Sequence, residues 1–156
     1  SDLEVHTFRM IIEYDDFIMS APNPVICMTA DFRPHGSLAK AFLREYRSEE
    51  RLFNQKKRSG QVATLTLNGK GPTNLVFFCI MRATCRNELF PELFLKCLWN
   101  LKNLALKSGL KILSFPLLDW ERSVIPFFQF CNLLKEVFSD TDIALALYPN
   151  YFLSIR

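Results

Sequence analysis

Residues 27–42 read Cys-Met-Thr-Ala-Asp-Phe-Arg-Pro-His-Gly-Ser-Leu-Ala-Lys-Ala-Phe, and this stretch decides the fold class. It continues an apolar run, residues 24–29, which is too short for a helix and is typical of a strand covered on both faces. Breaker residues follow at 31–36, and Ser37 then provides a good helix N-cap. A loop that joins the carboxyl end of a central strand to a helix N-terminus is where open α/β folds bind ligands, and phosphates especially.

Length and composition favour one domain with a large core. The chain has 156 residues, of which 49% are hydrophobic and 15 are phenylalanine. The net charge of +3 is too small to indicate nucleic-acid binding by itself. No apolar run approaches the roughly 18 residues that a membrane span needs, so we expect no membrane association.

The cysteines favour a reducing compartment. The chain has an odd number of cysteines, namely Cys27, Cys79, Cys85, Cys97 and Cys131. Four of these five lie inside apolar or helical patterns. This usage predicts reduced thiols and a nuclear or cytoplasmic protein. The chain has no Cys-x-x-Cys pair, and His6 and His35 are far apart, so we expect neither a metal site nor a cofactor.

Periodicity and turn residues predict the remaining elements. Strands are expected at 5–13, 61–67, 74–81, 111–115 and 142–148; helices are expected at about 38–47, at 88–107 and after a cap at Ser123, with a short helical turn at 48–54. The Asn68-Gly69 turn predicts that the strands at 61–67 and 74–81 are antiparallel neighbours. This order predicts a three-layer α/β/α fold with a mixed central sheet. We expect one module over residues 1–156, ending in an apolar tail at 149–156.

Several local runs occur in a distinctive order and spacing. They are residues 27–33, 54–63, 82–84, 113–116, 136–138 and 141–143. Together they resemble the macro domain, and most closely its terminal ADP-ribose protein glycohydrolase branch, whose members remove ADP-ribose from acidic side chains. The resemblance covers almost the whole chain and implies the same three-layer fold.

The resemblance also implies a ligand site, which is altered at its first phosphate loop. If the site is retained, its binding residues are Asp16, which matches an adenine contact, and Asp31, Phe32, Arg33, Gly36 and Ser37. The family's Gly-x-Gly aligns with His35-Gly36-Ser37, so both glycine positions carry side chains, and Pro34 removes an amide donor. We interpret His35 as a solvated surface residue.

The second phosphate loop and the catalytic positions have changed further. Ile80, with Met81 beside it, stands at the family's catalytic lysine, and Ser123 stands at its catalytic aspartate. The other degenerate positions form a loop without glycine: Leu117, Leu118, Asp119, Trp120 and Glu121. Two of these side chains are acidic and would repel a diphosphate.

The sequence therefore predicts a catalytically inactive macro-domain-like module, not an enzyme, that serves in protein–protein interaction or scaffolding and binds ADP-ribose weakly or not at all. Its partner would be another protein or a second copy, contacted through a candidate surface of Phe127, Phe128, Tyr151 and Phe152. Two alternatives are a non-hydrolytic ADP-ribose reader and a glycohydrolase with a relocated acid such as Asp119. Nucleic-acid binding through residues 56–58 is a weaker interpretation.

Overall fold

The computed structural model of the protein describes residues 5–15, 21–67, 74–117 and 125–149. Within these ranges the strands are β1 (Arg9–Ile12), β2 (Val25–Thr29), β3 (Val62–Leu67), β4 (Asn74–Arg82), β5 (Ile112–Pro116) and β6 (Ala144–Tyr148). The helices are α1 (Ser37–Tyr46), α2 (Glu49–Phe53), α3 (Pro91–Lys107) and α4 (Phe127–Phe138).

The strands form two three-stranded sheets that lie side by side. One has the order β1-β6-β5 and is parallel throughout. The other has the order β2-β4-β3, in which β2 is parallel and β3 antiparallel to β4. The predicted antiparallel pairing of β3 with β4 is therefore confirmed. A parallel bridge between Pro24 and Ser114 joins the two sheets, and the mixed strand directions confirm the predicted α/β class.

Helices cover both faces of the β2-β4-β3 sheet because its strands bury apolar side chains on either side. Helices α3 and α4 share one core, in which the rings of Phe94 and Phe130 stack with their centroids 5.1 Å apart. Helices α1 and α2 bury Phe42 and Leu52 in a second core together with Phe78 of β4. The result is the predicted three-layer arrangement.

The beginnings of two helices differ from the prediction. The N-cap of α1 is Gly36, whose backbone is extended, so Ser37 is the first helical residue and not the cap. Helix α4 begins at Phe127, with Pro126 as its N-cap, and the predicted cap at Ser123 is wrong. The physical reason is that a proline disfavours helical backbone in the residue before it, so the helix starts after the proline.

The core-facing side of α4 is formed by Phe130, Leu134, Val137 and Phe138, whereas Phe127 is exposed and Cys131 is half-buried. By contrast, α3 ends as predicted. Gly109 has a φ of 68° and follows the C-cap Ser108, which lets the last carbonyls of the helix accept hydrogen bonds from the chain that leaves it.

Asn23 holds the junction between the two sheets. Its amide Nδ2 donates to the Ile112 carbonyl at 3.0 Å, and its Oδ1 accepts from the Leu75 backbone N–H at 3.1 Å. Its own carbonyl accepts from the Ser114 backbone N–H at 3.2 Å. The residue is buried and has a φ of 47°, a left-handed conformation that asparagine tolerates better than most residues. One side chain thus connects β5 to β4.

We expect Asn23→Ala to lower the free energy of unfolding by about 2–4 kcal/mol, because it leaves a buried carbonyl and a buried N–H without partners. Urea denaturation measures the effect. Asn23→Gly is the matched control, since it removes the same hydrogen bonds while relieving the backbone at positive φ, and it should cost less than alanine. A loss below about 1 kcal/mol for alanine would contradict the assigned role.

Candidate functional site

The loop after β2 is held in shape by Asp31. Its Oδ1 accepts from the Thr29 hydroxyl at 2.7 Å and from the Arg33 backbone N–H at 3.0 Å. Phe32 has a φ of 55° and is buried, with its ring edge-on to Phe78 at a centroid distance of 6.1 Å. The Asp31 carboxylate and the Phe32 ring, both predicted ligand contacts, therefore shape the loop, while the Arg33 side chain is exposed.

The loop after β4 is held by Asn87 in the same way. The Asn87 Oδ1 accepts from the Thr84 backbone N–H at 2.9 Å and from the Thr84 hydroxyl at 2.8 Å. The Arg82 guanidinium donates to the Asn87 carbonyl at 3.0 Å. The Arg82 carbonyl accepts from the Ala30 backbone N–H at 3.0 Å, which ties this loop to the one after β2. Both loops are thus preorganised at the carboxyl ends of neighbouring parallel strands.

The two loops meet at a thiol–imidazole pair. The Sγ of Cys85 lies 3.2 Å from the Nε2 of His35. Cys85 is half-buried and His35 is exposed. The sequence predicts His35 to be a surface residue and assigns Cys85 no role at the site. The available signal was that Cys85 is the one cysteine outside an apolar or helical pattern, but a contact between residues 50 positions apart has no local signature.

A wide cavity of about 950 Å³ opens between these loops and α1. Its volume is within the range of small-molecule sites. Its walls are rich in positive charge, with two carboxylates among five cationic side chains: Asp31 and Glu49 face Arg33, Lys40, Arg44, Arg47 and Arg86. Such a site favours an anionic ligand.

A narrow cleft lies on the other side of Pro34 and His35. Its volume is about 40 Å³, and Thr29, Met81 and Arg82 from the strand ends line it together with Gly36. Gly36 has a φ of −63°, and a Cβ added there would meet no atom within 4 Å, so the backbone does not require a glycine. The α1 N-terminus has no acidic residue in its first turn and no side-chain cap, which leaves its amides able to bind an anion.

The position assigned to the lost catalytic lysine lies in the core. Ile80 is fully buried with the residues under α1, and its carbonyl accepts from the Gly60 backbone N–H at 2.7 Å. The neighbouring Met81 is the residue that reaches the narrow cleft. Both side chains are apolar, so neither can act as a nucleophile or a base.

Other predicted site residues lie at the sheet edge or beyond the described ranges. Leu117 is half-buried directly after β5, and Phe127 and Phe128 at the start of α4 are 56% and 77% exposed. The residues outside the described ranges are Asp16, Leu118, Asp119, Trp120, Glu121, Ser123, Tyr151 and Phe152. Their proposed roles remain predictions.

Tyr148 lies at the end of β6, and its phenol has a clearly shifted pKa. Burial raises the pKa of its phenol, while a side-chain hydrogen bond with Ser114 acts in the opposite direction. The phenol is therefore protonated at neutral pH.

Among the described residues, no three His, Cys, Asp or Glu side chains are grouped closely enough to hold a metal ion. None of the described helices has the length and apolar character needed to cross a membrane.

Comparison with known proteins gives relatives of one kind. No family model matches the sequence. The chain is 27% identical over 124 residues to ADP-ribose glycohydrolase OARD1 of Bos taurus, covering 80% of this chain and 79% of the relative. The Homo sapiens protein of the same name is 27% identical over 122 residues, covering 78% of each chain.

Solved structures give the same fold. The macrodomain of Thermus aquaticus DarG aligns with a TM-score of 0.76 over 90% of this chain and 98% of that chain, at 12% identity. The macrodomain of Mycobacterium tuberculosis DarG aligns with a TM-score of 0.73 over 90% and 97% of the two chains, also at 12% identity.

These comparisons correct one expectation. The chain was expected not to be an enzyme, because Ile80 and Ser123 stand at the catalytic positions. The curated relatives are named ADP-ribose glycohydrolases, which is the name of an enzyme family, and the expectation is therefore wrong. The residues at these two positions bear only on the family's own mechanism. The chain thus has the macrodomain fold, and its sequence is similar to ADP-ribose glycohydrolases, as the resemblance to the terminal ADP-ribose glycohydrolase branch predicted.

Proposed function

We propose that the chain binds ADP-ribose at the loop of residues 31–37, with the diphosphate held by the cationic side chains of the wide cavity. One observation carries this proposal: a cavity of about 950 Å³, with five Lys or Arg side chains on its walls, lies against the first phosphate loop of a macrodomain. ADP-ribose is a small molecule with two negative phosphates, so size and charge both fit.

Side-chain cations here take the place of backbone amides. Glycines let a backbone approach a pyrophosphate closely, but His35 and Ser37 stand at those positions, and Pro34 has no N–H. Guanidinium groups reach further and bind phosphate oxygens through two parallel hydrogen bonds. The Asp31 carboxylate already accepts two hydrogen bonds within its own loop, which reduces its repulsion of the ligand.

Arg33→Gln is expected to weaken ADP-ribose binding about tenfold, because one charge-assisted hydrogen bond to phosphate is worth roughly 1.5–3 kcal/mol. Isothermal titration calorimetry at moderate salt measures it. Arg51→Gln is the matched control, since Arg51 is an exposed arginine of α2 outside the cavity wall. Equal affinities of the two variants, or a wild-type chain that gives no heat at millimolar ligand, would contradict the proposal.

His35 favours a second function, the hydrolysis of ADP-ribosyl esters on acidic side chains. Its imidazole lines both the wide cavity and the narrow cleft, beside the loop at which the ligand is proposed to bind. Imidazole exchanges protons near neutral pH and is the commonest general acid or base in enzymes. We therefore propose that His35 supplies the acid–base chemistry that Ile80 cannot.

If His35 acts in this way, His35→Gln should lower the rate of ADP-ribose release from a glutamate-ADP-ribosylated peptide about 100-fold, since general acid–base catalysis contributes 10²–10⁴-fold. ADP-ribose affinity, measured by calorimetry, should change less than threefold. Arg51→Gln again serves as the control for both readouts. Release by the wild-type chain no faster than in buffer, or undiminished release by the variant, would overturn this function.

The start of α4 supports a protein contact in addition. Phe127 and Phe128 are adjacent and exposed, and exposed aromatic pairs of this kind are typical of interaction surfaces. We propose that another protein or a second copy of the chain binds there. No disulfide joins any of the five cysteines, all of which lie in the described ranges, and this supports a proposed nuclear or cytoplasmic setting.

Phe128→Asp should weaken self-association at least tenfold, because it places a charge in an apolar contact. Sedimentation equilibrium over a range of protein concentrations measures the dimer constant. Phe53→Asp is the control, since Phe53 is also an exposed aromatic but lies on α2. A wild-type chain that is monomeric at all concentrations would rule out a second copy as the partner.

A further inference from the structure

We propose that Cys85 is a site of covalent modification: a reactive thiol, served by His35 as its base, that exchanges with low-molecular-weight disulfides bearing carboxylates. The proposal rests on three features of the described residues. They are the contact between thiol and imidazole, the positive charge around it, and the access that the wide cavity gives to the sulfur.

The contact has the geometry of proton transfer. The Cys85 Sγ and the His35 Nε2 are 3.2 Å apart, which is hydrogen-bond distance for a sulfur donor. With its ring hydrogen on Nδ1, the imidazole accepts the thiol proton at Nε2. Thiolate is the nucleophilic form of cysteine, and a nucleophile within hydrogen-bond reach of a base is the arrangement that activates it.

The loops on which the two residues stand fix this geometry. Thr84 and Arg86, on either side of the thiol, are held by bonds within the turn: the Thr84 N–H donates to the Asn87 Oδ1 at 2.9 Å, and the Arg86 N–H donates to the Thr84 Oγ1 at 3.2 Å. His35 precedes the N-cap of α1. The pair therefore joins two preorganised backbones and does not depend on a long flexible side chain.

The surroundings select the reagent. Cys85 and His35 line the wide cavity, whose cations outnumber its carboxylates, and Arg86 follows Cys85 directly. This charge attracts anions. A disulfide that carries carboxylates, of which oxidised glutathione is the probe, can place them against the Arg and Lys side chains while its sulfur approaches Cys85.

The reaction is balanced without a further oxidant. The Cys85 thiol gives its proton to His35, and the thiolate attacks one sulfur of oxidised glutathione. A bond forms between the Cys85 Sγ and that sulfur as the glutathione S–S bond breaks. The second glutathione leaves as a thiolate and takes up the proton from His35. Cys85 is oxidised to a mixed disulfide, and one glutathione is reduced.

The other cysteines provide an internal comparison. Cys27, Cys79 and Cys97 are buried in the core, which shields them from reagents. Cys131 is half-buried on α4, and burial raises the pKa of its thiol, although Lys135 acts in the opposite direction. Cys131 is thus the matched thiol. Its exposure is comparable to that of Cys85, and burial and Lys135, not an imidazole, are what shift its pKa.

The experiment is incubation of the folded chain with oxidised glutathione, followed by peptide mass spectrometry of each cysteine over time. Cys85 should form the adduct at least tenfold faster than Cys131. His35→Gln should slow the reaction at Cys85 at least tenfold with either oxidised glutathione or cystamine, a disulfide with two positive charges. Arg86→Gln should slow only the reaction with glutathione.

Comparing the negatively charged and positively charged disulfides distinguishes the proposed site from a cysteine that reacts only because it is exposed. If Cys85 and Cys131 react at similar rates, or if cystamine reacts with Cys85 as fast as glutathione does, the proposal is overturned. Circular dichroism and the unchanged rate at Cys131 in each variant show that the fold is intact. A large glutathione preference that Arg86→Gln and added salt both reduce supports the proposal.

The reactivity does not depend on the proposed ADP-ribose site, since it is measured without that ligand. Its consequence does depend on the proposed function. A glutathione adduct would fill the cavity in which the diphosphate is proposed to lie and would break the contact between His35 and Cys85. Modified chain should then bind ADP-ribose at least tenfold more weakly. If the unmodified chain does not bind ADP-ribose, only the proposed function fails.

Discussion

The junction between the two sheets is the constraint on which the rest of the molecule depends. In the part of the chain that the structure describes, six strands form two hydrogen-bonded sheets, and the bridge between Pro24 and Ser114 joins them. Asn23 supplies much of that junction. Its side-chain amide hydrogen-bonds the Ile112 carbonyl of β5 and the Leu75 N–H of β4, and its backbone carbonyl accepts from the Ser114 N–H. The Ser114 hydroxyl completes the link by donating to the Pro22 carbonyl at 2.6 Å. Buried polar groups are costly unless they are paired, so this small network fixes how the sheets meet.

The site follows from that alignment. Parallel strands β2 and β4 end at the same edge, and the loops that leave them are each shaped by one side chain that accepts two hydrogen bonds, Asp31 in one and Asn87 in the other. Because hydrogen bonds within each loop fix its shape, the other side chains of the loop can point toward solvent and a ligand. Arg33, His35, Cys85 and Arg86 all reach the same cavity for this reason. Rigid loops on a rigid sheet are how a small fold preorganises chemistry.

The proposed site provides charge through side chains in place of backbone amides. A glycine-rich phosphate loop binds by close approach of its amides, which requires residues without Cβ atoms. This chain has lost those glycines, yet it has placed Arg and Lys on α1 and on the loop after β4, where they face the same opening. Loss of the glycines therefore records the loss of one way of providing charge, and the cationic side chains at this opening can provide another. The same applies to the catalytic lysine, whose absence led to the wrong expectation that the chain is not an enzyme.

The sequence by itself determined the layer architecture, the order of the elements, the pairing of β3 with β4 and the macrodomain resemblance. The resemblance rests on the order and spacing of several local runs, whereas the other properties follow from hydrophobic periodicity and turn residues, which act over a few positions along the chain. It placed the starts of α1 and α4 less well, because a cap depends on backbone conformation that the residue type only biases. Only the tertiary structure decided that Ile80 faces the core while Met81 faces the cleft, that Asn23 joins the sheets, and that His35 meets Cys85. Each of these depends on contacts between residues distant in the chain, and such contacts leave no periodic signal in the sequence.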